Sequence, residues 1–158
     1  MRISLHQRQA QRGMVLLVSL VFLLLLTLIG LSSMQSANLQ EKMAGSVSLR
    51  NQSFQAAEAA LRIGESAVQL NSYSLAVCSG NQCAPPAEST VVSAAGLNST
   101  SGVTWIAVGN GFYGVQNIGT TLTAVNVPSS TSATLYRVTA VGLAGSSRSV
   151  LESVYAKF

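Results

Sequence analysis

Aspartate is absent from this 158-residue chain, histidine occurs once, at His6, and no proline precedes Pro85. The first two shortages exclude much chemistry. The acids are Glu41, Glu58, Glu65, Glu88 and Glu152, so Ser-His-Asp and Cys-His catalysis cannot be assembled from anything downstream of residue 6. A metal cage would need two ligands besides Cys78 and Cys83, and neither histidine nor aspartate is there to supply them. Glu58 and Glu65 are seven residues apart and share a helix face, but Arg62 stands four after one and three before the other. That is the spacing of ordinary helical ion pairs, not of a two-carboxylate hydrolase. Gly109-Asn110-Gly111 reads as a turn, because no lysine follows to complete a phosphate loop. The expectation is a protein that is not an enzyme and carries no cofactor or metal.

Charge is also scarce, and its distribution is uneven. Residues 13–40 carry none. Of the 9 basic residues, Arg2, Arg8 and Arg12 precede this stretch, which leaves 9 − 3 = 6 bases against 5 acids, a net +1. The basic pI therefore belongs mostly to the first dozen residues. No basic run with interleaved aromatics remains, so nucleic-acid binding is not expected. Residues 14–31, MVLLVSLVFLLLLTLIGL, are apolar except at Ser19, Thr27 and Gly30. As a helix they would measure about 27 Å, close to the hydrocarbon thickness of a bilayer. Positive charge ahead of such a span holds the leading segment in the cytoplasm and sends the rest across.

A cleaved secretory signal has a shorter apolar core, of about 7 to 15 residues, followed by a small-x-small site. Ser32-Ser33-Met34 and Ser36-Ala37 imitate such a site only loosely. The sequence then continues in good helix formers, which predicts a helix running on to about residue 71. Phe54, Ala57, Leu61, Gly64 and Val68 recur by three and four and define its apolar stripe, with Glu58, Arg62 and Glu65 on the flank. From residue 14 to 71 the helix would span roughly 87 Å. The fewer than ninety residues that remain make a domain with a radius of gyration of only about 13 Å. About half the helix is therefore expected to project from it, which is the architecture of type IV pilins.

The segment 12–65, RGMVLLVSLVFLLLLTLIGLSSMQSANLQEKMAGSVSLRNQSFQAAEAALRIGE, resembles the N-terminal region of PilX-type minor pilins, through TLIGLSSMQ, LQEKMAG and RNQSFQAAEAALR. The closing segment ATLYRVTAVGLAGSSRSVLESVY is similar to the last strands of that family. This resemblance implies a cytoplasmic leader, residues 1–13, cut by a prepilin peptidase after Gly13, and methylation of the new amino group on Met14. It implies a membrane and polymerisation helix over 14–31 and a periplasmic pilin domain over 32–158. It implies an inner-membrane protein passing to the pilus, with other minor pilins, the major pilin, the assembly platform and a large tip adhesin as partners. Major pilins of this kind carry glutamate at the fifth residue after the cleavage point; here it is Val18. The resemblance leaves two other readings open: a type II secretion minor pseudopilin, or a membrane-anchored adhesion or DNA-binding module.

Cys78 and Cys83 bracket Ser-Gly-Asn-Gln. Gly80-Asn81 suits a left-handed turn, and in an oxidising periplasm the pair is expected as a short disulfide ring rather than as free thiols. After Pro85-Pro86 the composition turns to Ser, Thr, Gly, Val and Ala. A loop over 72–102 is expected, then an antiparallel sheet over 103–158. Strands are predicted at 103–108, 112–118, 135–143 and 148–158, with 122–127 as an edge strand or an extended loop. Trp105, Tyr113 and Tyr136 are expected in the core or on the sheet face. The predicted fold class is α+β: a pilin fold with one long N-terminal helix packed on a small antiparallel sheet.

Overall fold

A computed structural model describes residues 10–128 and 130–158, with side chains from residue 13 onward. Residues 1–9, with His6, Arg2 and Arg8, and the Arg12 side chain lie outside the described part, and so does most of the expected leader. The chain divides into two compact units, 1–45 and 46–158. One helix, α1 (Ala10–Gln69), contributes to both. It runs without a break because proline is absent and its glycines, Gly13, Gly30, Gly45 and Gly64, are single and widely spaced. The first unit as described is helix alone, and its side chains from Gly13 to Gly45 are exposed.

The second unit is an α+β domain. Its sheet holds β1 (Gly96–Leu97), β2 (Thr104–Val108), β3 (Gly111–Thr121), β4 (Ala133–Ala144) and β5 (Ser147–Lys157), in that spatial order. Every pairing is antiparallel, so the sheet is a simple meander. Two-residue turns close β2–β3 and β4–β5. Each opens on a glycine at positive φ, Gly109 at 52° and Gly145 at 54°, which L side chains adopt at a cost. β4 is the centre: it pairs with β3 from Gly111↔Gly142 to Thr121↔Ala133, past a bulge between Asn117 and Gly119, and with all of β5.

Period-2 alternation sends β4 side chains to two different layers. Tyr136, Val138 and Ala140 face α1 and join Ala60, Val68, Tyr113 and Val115 in one buried cluster. Val141 faces the opposite way, with Val103, Trp105 and Phe112, in a second cluster under the segment between α1 and β2. Val138 and Val141, both fully buried, each contribute about 2 kcal/mol through transfer out of water. Trp105, Tyr113 and Tyr136 are all core residues, buried to 2, 7 and 4% exposure.

One position of the expected helix stripe needs correction. Ala57, Gly64 and Val68 of that stripe are buried and Leu61 packs against the core, but Phe54 is exposed at 48% and Ser53, at 0%, takes its place beside Ala60. Between Ser53 and Gly64 the helix comes so close to the sheet that its buried positions take only small residues. At Gly64 an added Cβ would stand 2.6 Å from Val138 Cγ1. Ser53 fits because its hydroxyl is shared with Ser149 Oγ at 2.8 Å and Ser147 Oγ at 3.2 Å on β5. Of the two forms expected for residues 122–127 the structure shows the loop, built of bends and turns, with Leu122 and Val125 exposed at 64 and 84%. The segment before β2 is also more ordered than a plain loop. It contains 3₁₀ turns at Gly80–Cys83 and Ala87–Thr90 and the short strand β1.

Candidate assembly surface

The first candidate surface is the N-terminal part of α1. It contains an 18-residue window of mean hydropathy 3.0, none of it buried, in a helix long and apolar enough to cross a membrane. Its two hydroxyls are satisfied within the helix. Ser19 Oγ donates to Leu16 O at 2.9 Å and Thr27 Oγ1 to Leu24 O at 2.8 Å, so neither needs water and the segment remains compatible with lipid. Gly13 and Met14 lie inside α1, and Val18 follows Met14 by one turn on the same face. Both Met14 and Val18 are exposed, at 67 and 48%. This turn holds no ionisable side chain.

The second surface is the layer laid over the sheet face opposite α1. Cys78 and Cys83 are joined by a disulfide with Cα atoms 5.2 Å apart. The ring docks on the sheet rather than merely marking the exit from the helix. Gln116 Nε2 donates to Gln82 O at 2.6 Å and Ala84 O at 3.0 Å, and Arg137 Nη1 donates to Cys83 O at 2.6 Å. Arg137 Nε also meets Glu152 Oε1 at 3.1 Å. Cys78 N donates to Asn117 O at 2.8 Å, and Asn117 Nδ2 to Leu75 O at 2.8 Å. Farther along, Arg148 Nη1 takes the carbonyls of Val92 at 2.8 Å and Ser89 at 3.2 Å. Trp105 Nε1 donates to Glu88 Oε1 at 3.3 Å, and the Ser101 hydroxyl shares that oxygen. Side chains thus satisfy the backbone carbonyls of an irregular segment, which is what allows it to pack as a layer.

Lysine closes the end of the helix. Lys157 Nζ donates to Leu70 O at 2.5 Å and Tyr73 O at 3.0 Å, placing a cation at the negative end of the α1 dipole. Tyr73 meets Tyr136 edge to face, ring centroids 5.6 Å apart. Its phenol pKa is raised, first by burial and then by Tyr113 and Tyr136.

The glutamates are dispersed. Glu58 pairs with Arg62, Glu88 serves Trp105 and Ser101, and Glu152 serves Arg137. Among the described residues no group of three His, Cys, Asp or Glu side chains comes together. Sequence reasoning missed Gln116, Arg137 and Arg148 as the groups that hold the outer layer. The only available signal was a polar residue interrupting a strand pattern, which reads equally well as a solvated face.

Against known proteins, residues 12–62 match the family model described as PilX N-terminal. No curated protein and no solved structure gives a match. The matched segment takes in the whole apolar stretch and most of the helix that packs on the sheet. Over that third of its length the chain is similar to type IV pilins of the PilX type.

Proposed function

We propose that this chain is a minor pilin that helps to prime type IV pilus assembly, at or near the pilus tip, in company with other minor pilins. The observation that carries the reading is the uncharged turn from Met14 to Val18. In major pilins, by resemblance, the glutamate at this position attracts the N-terminal ammonium of a neighbouring subunit. A carboxylate in the apolar core of a bilayer costs roughly 3 kcal/mol and is kept where it finds a partner. Val18 carries no such cost and offers no such attraction. A subunit with no earlier subunit above it loses nothing by the exchange.

In this reading prepilin peptidase cuts after Gly13, Met14 is N-methylated, and residues 14–31 cross the inner membrane with the C-terminal domain in the periplasm. The mature chain then passes into the pilus. Its partners are other minor pilins, the major pilin, the assembly platform and a large tip adhesin. Nucleic acid is not proposed as a partner; of the six cations beyond residue 13, Arg62, Arg137, Arg148 and Lys157 are each engaged in contacts within the chain.

Mass spectrometry of the membrane and pilus protein tests the processing. A methylated Met14 is expected, and a chain beginning at Met1 or Arg2 would overturn the pilin reading. Immunogold labelling should cluster at pilus ends, and even labelling along the shaft would sink the tip assignment. Val18 favours one second reading, a type II secretion minor pseudopilin. Co-purification with secretion rather than pilus subunits would establish that reading instead.

A further inference from the structure

Strand β5 forms one edge of the sheet, and it lacks the features that usually protect an edge. Such strands are blunted by proline, a bulge, outward charge or a covering loop, because an exposed row of N–H and C=O groups templates pairing with another chain. β5 contains no proline, and its register with β4 is continuous from Ala144↔Ser147 to Thr134↔Lys157. Counted from the two-residue turn, alternate residues bond to β4, which leaves the main-chain groups of Arg148, Val150, Glu152, Val154 and Ala156 pointing outward. Among the described residues, these groups make no backbone hydrogen bond beyond the sheet.

All three charges of the strand are turned away from the edge. Arg148 reaches back to Ser89 O and Val92 O, Glu152 is held by Arg137, and Lys157 is held by Leu70 O and Tyr73 O. Between them Val150 and Val154 are exposed at 40 and 55%. The strand therefore offers a long, regular and apolar main-chain edge that no cation or carboxylate guards.

We propose that β5 accepts an extended strand from a different subunit of the same assembly, which pairs along residues 148–156 and extends the sheet. The incoming strand has apolar residues beside Val150 and Val154. It has no acid between them, since Glu152 is already neutralised by Arg137. A second copy of this chain fits less well. The opposite edge, β1, is two residues long and cannot match β5 head to tail. Antiparallel pairing of two β5 strands would set the helices packed on the two sheets in opposite directions, whereas two anchored pilins leave a membrane the same way. That choice of partner rests on the membrane-anchored reading; the open edge does not.

The test uses the full chain in its own cells, with the photo-crosslinking residue p-benzoylphenylalanine at position 150 and adducts identified by mass spectrometry. An adduct to another pilus subunit is expected. Val154→Pro removes an outward N–H without touching a bond to β4, so it should lower the adduct about tenfold. The Cys78–Cys83 disulfide and protease resistance should be retained. If Val154→Pro fails to fold, Val154→Lys supplies the same block by charge. No adduct at position 150, an adduct only to a second copy, or an adduct undiminished by the blocking variant would overturn the proposal. The N-terminus mapped on the same sample separates this result from the pilin reading: a chain starting at Met1 ends that reading whatever the adducts are.

Discussion

A Cβ placed on Gly142 would stand 2.0 Å from the carbonyl oxygen of Ser53 and 2.2 Å from the amide nitrogen of Ala57. Both obstacles are main-chain atoms of α1, so no rotamer change can relieve the clash. Gly142→Ala should lift the helix from the sheet and cost about 3 kcal/mol. Gly45, with nothing within 4 Å of its Cβ position, is the contrast: Gly45→Ala should be neutral or gain up to about 1 kcal/mol. Urea denaturation of the two variants checks both. A Gly142→Ala variant as stable as the parent would show that the close approach is wrong.

The six-residue disulfide ring should add about 2 kcal/mol by limiting the unfolded chain. Gln116 and Arg137 hold the carbonyls of residues 82, 83 and 84 independently. The ring should therefore stay docked when Cys78 and Cys83 are replaced by serine. Removing Arg137 as well leaves Glu152 without its partner and Cys83 O without its donor. A double-mutant cycle between Arg137→Ala and the cysteine pair should give coupling of about 1 kcal/mol, and strict additivity would deny that they grip the same segment.

Trp105 is the sole tryptophan, and its indole N–H is bound to Glu88. Glu88→Ala leaves this buried donor and the Ser101 hydroxyl without their acceptor, at a cost of about 2 kcal/mol. Tryptophan fluorescence should shift to the red and the denaturation midpoint should fall. An unchanged spectrum would place the indole elsewhere.

Alkaline pH should loosen the domain through Tyr73. Its folded pKa lies above the ordinary value of 10.0 because burial and the neighbouring phenols disfavour the phenolate. The folded state therefore holds a proton that the unfolded state has already released. The stability is fully present below pH 10 and falls as pH rises through and beyond it. Tyr73→Phe should flatten that fall, as read from denaturation midpoints across the alkaline range.

Val18→Glu restores the carboxylate expected of major pilins. It should alter the number of pili initiated or draw the protein into the shaft, as counted by electron microscopy and immunogold labelling. Wild-type numbers and placement would remove Val18 from the account of insertion order.

The long helix and its two strand pairs could be read from the sequence because their signals are local: an unbroken run of helix formers, and alternation on either side of a glycine turn. The helix face was legible at Ala57, Gly64 and Val68 but not at its start: Phe54 dominates any hydropathy count, yet Ser53 and Ala60, small rather than strongly apolar, complete the contact with the sheet. The candidate surface was half legible. Residues 14–31 and Val18 stand out by composition. The layer held by Gln116, Arg137 and Arg148 depends on pairings 32 to 59 residues apart, which no local pattern records.

Lys157 reaches back across 84 and 87 residues to the carbonyls where α1 ends. In a chain that crosses a membrane from the N-terminal side, the helix is made and delivered early, while its cap arrives with the last strand. Until β5 emerges and pairs with β4, the end of α1 lacks its cation and Tyr136 lacks one flanking strand. If the domain is exported as proposed, that order is fixed: the stem would be in place before the domain can close, and completion of the fold would report that the whole of β5 has reached the far side.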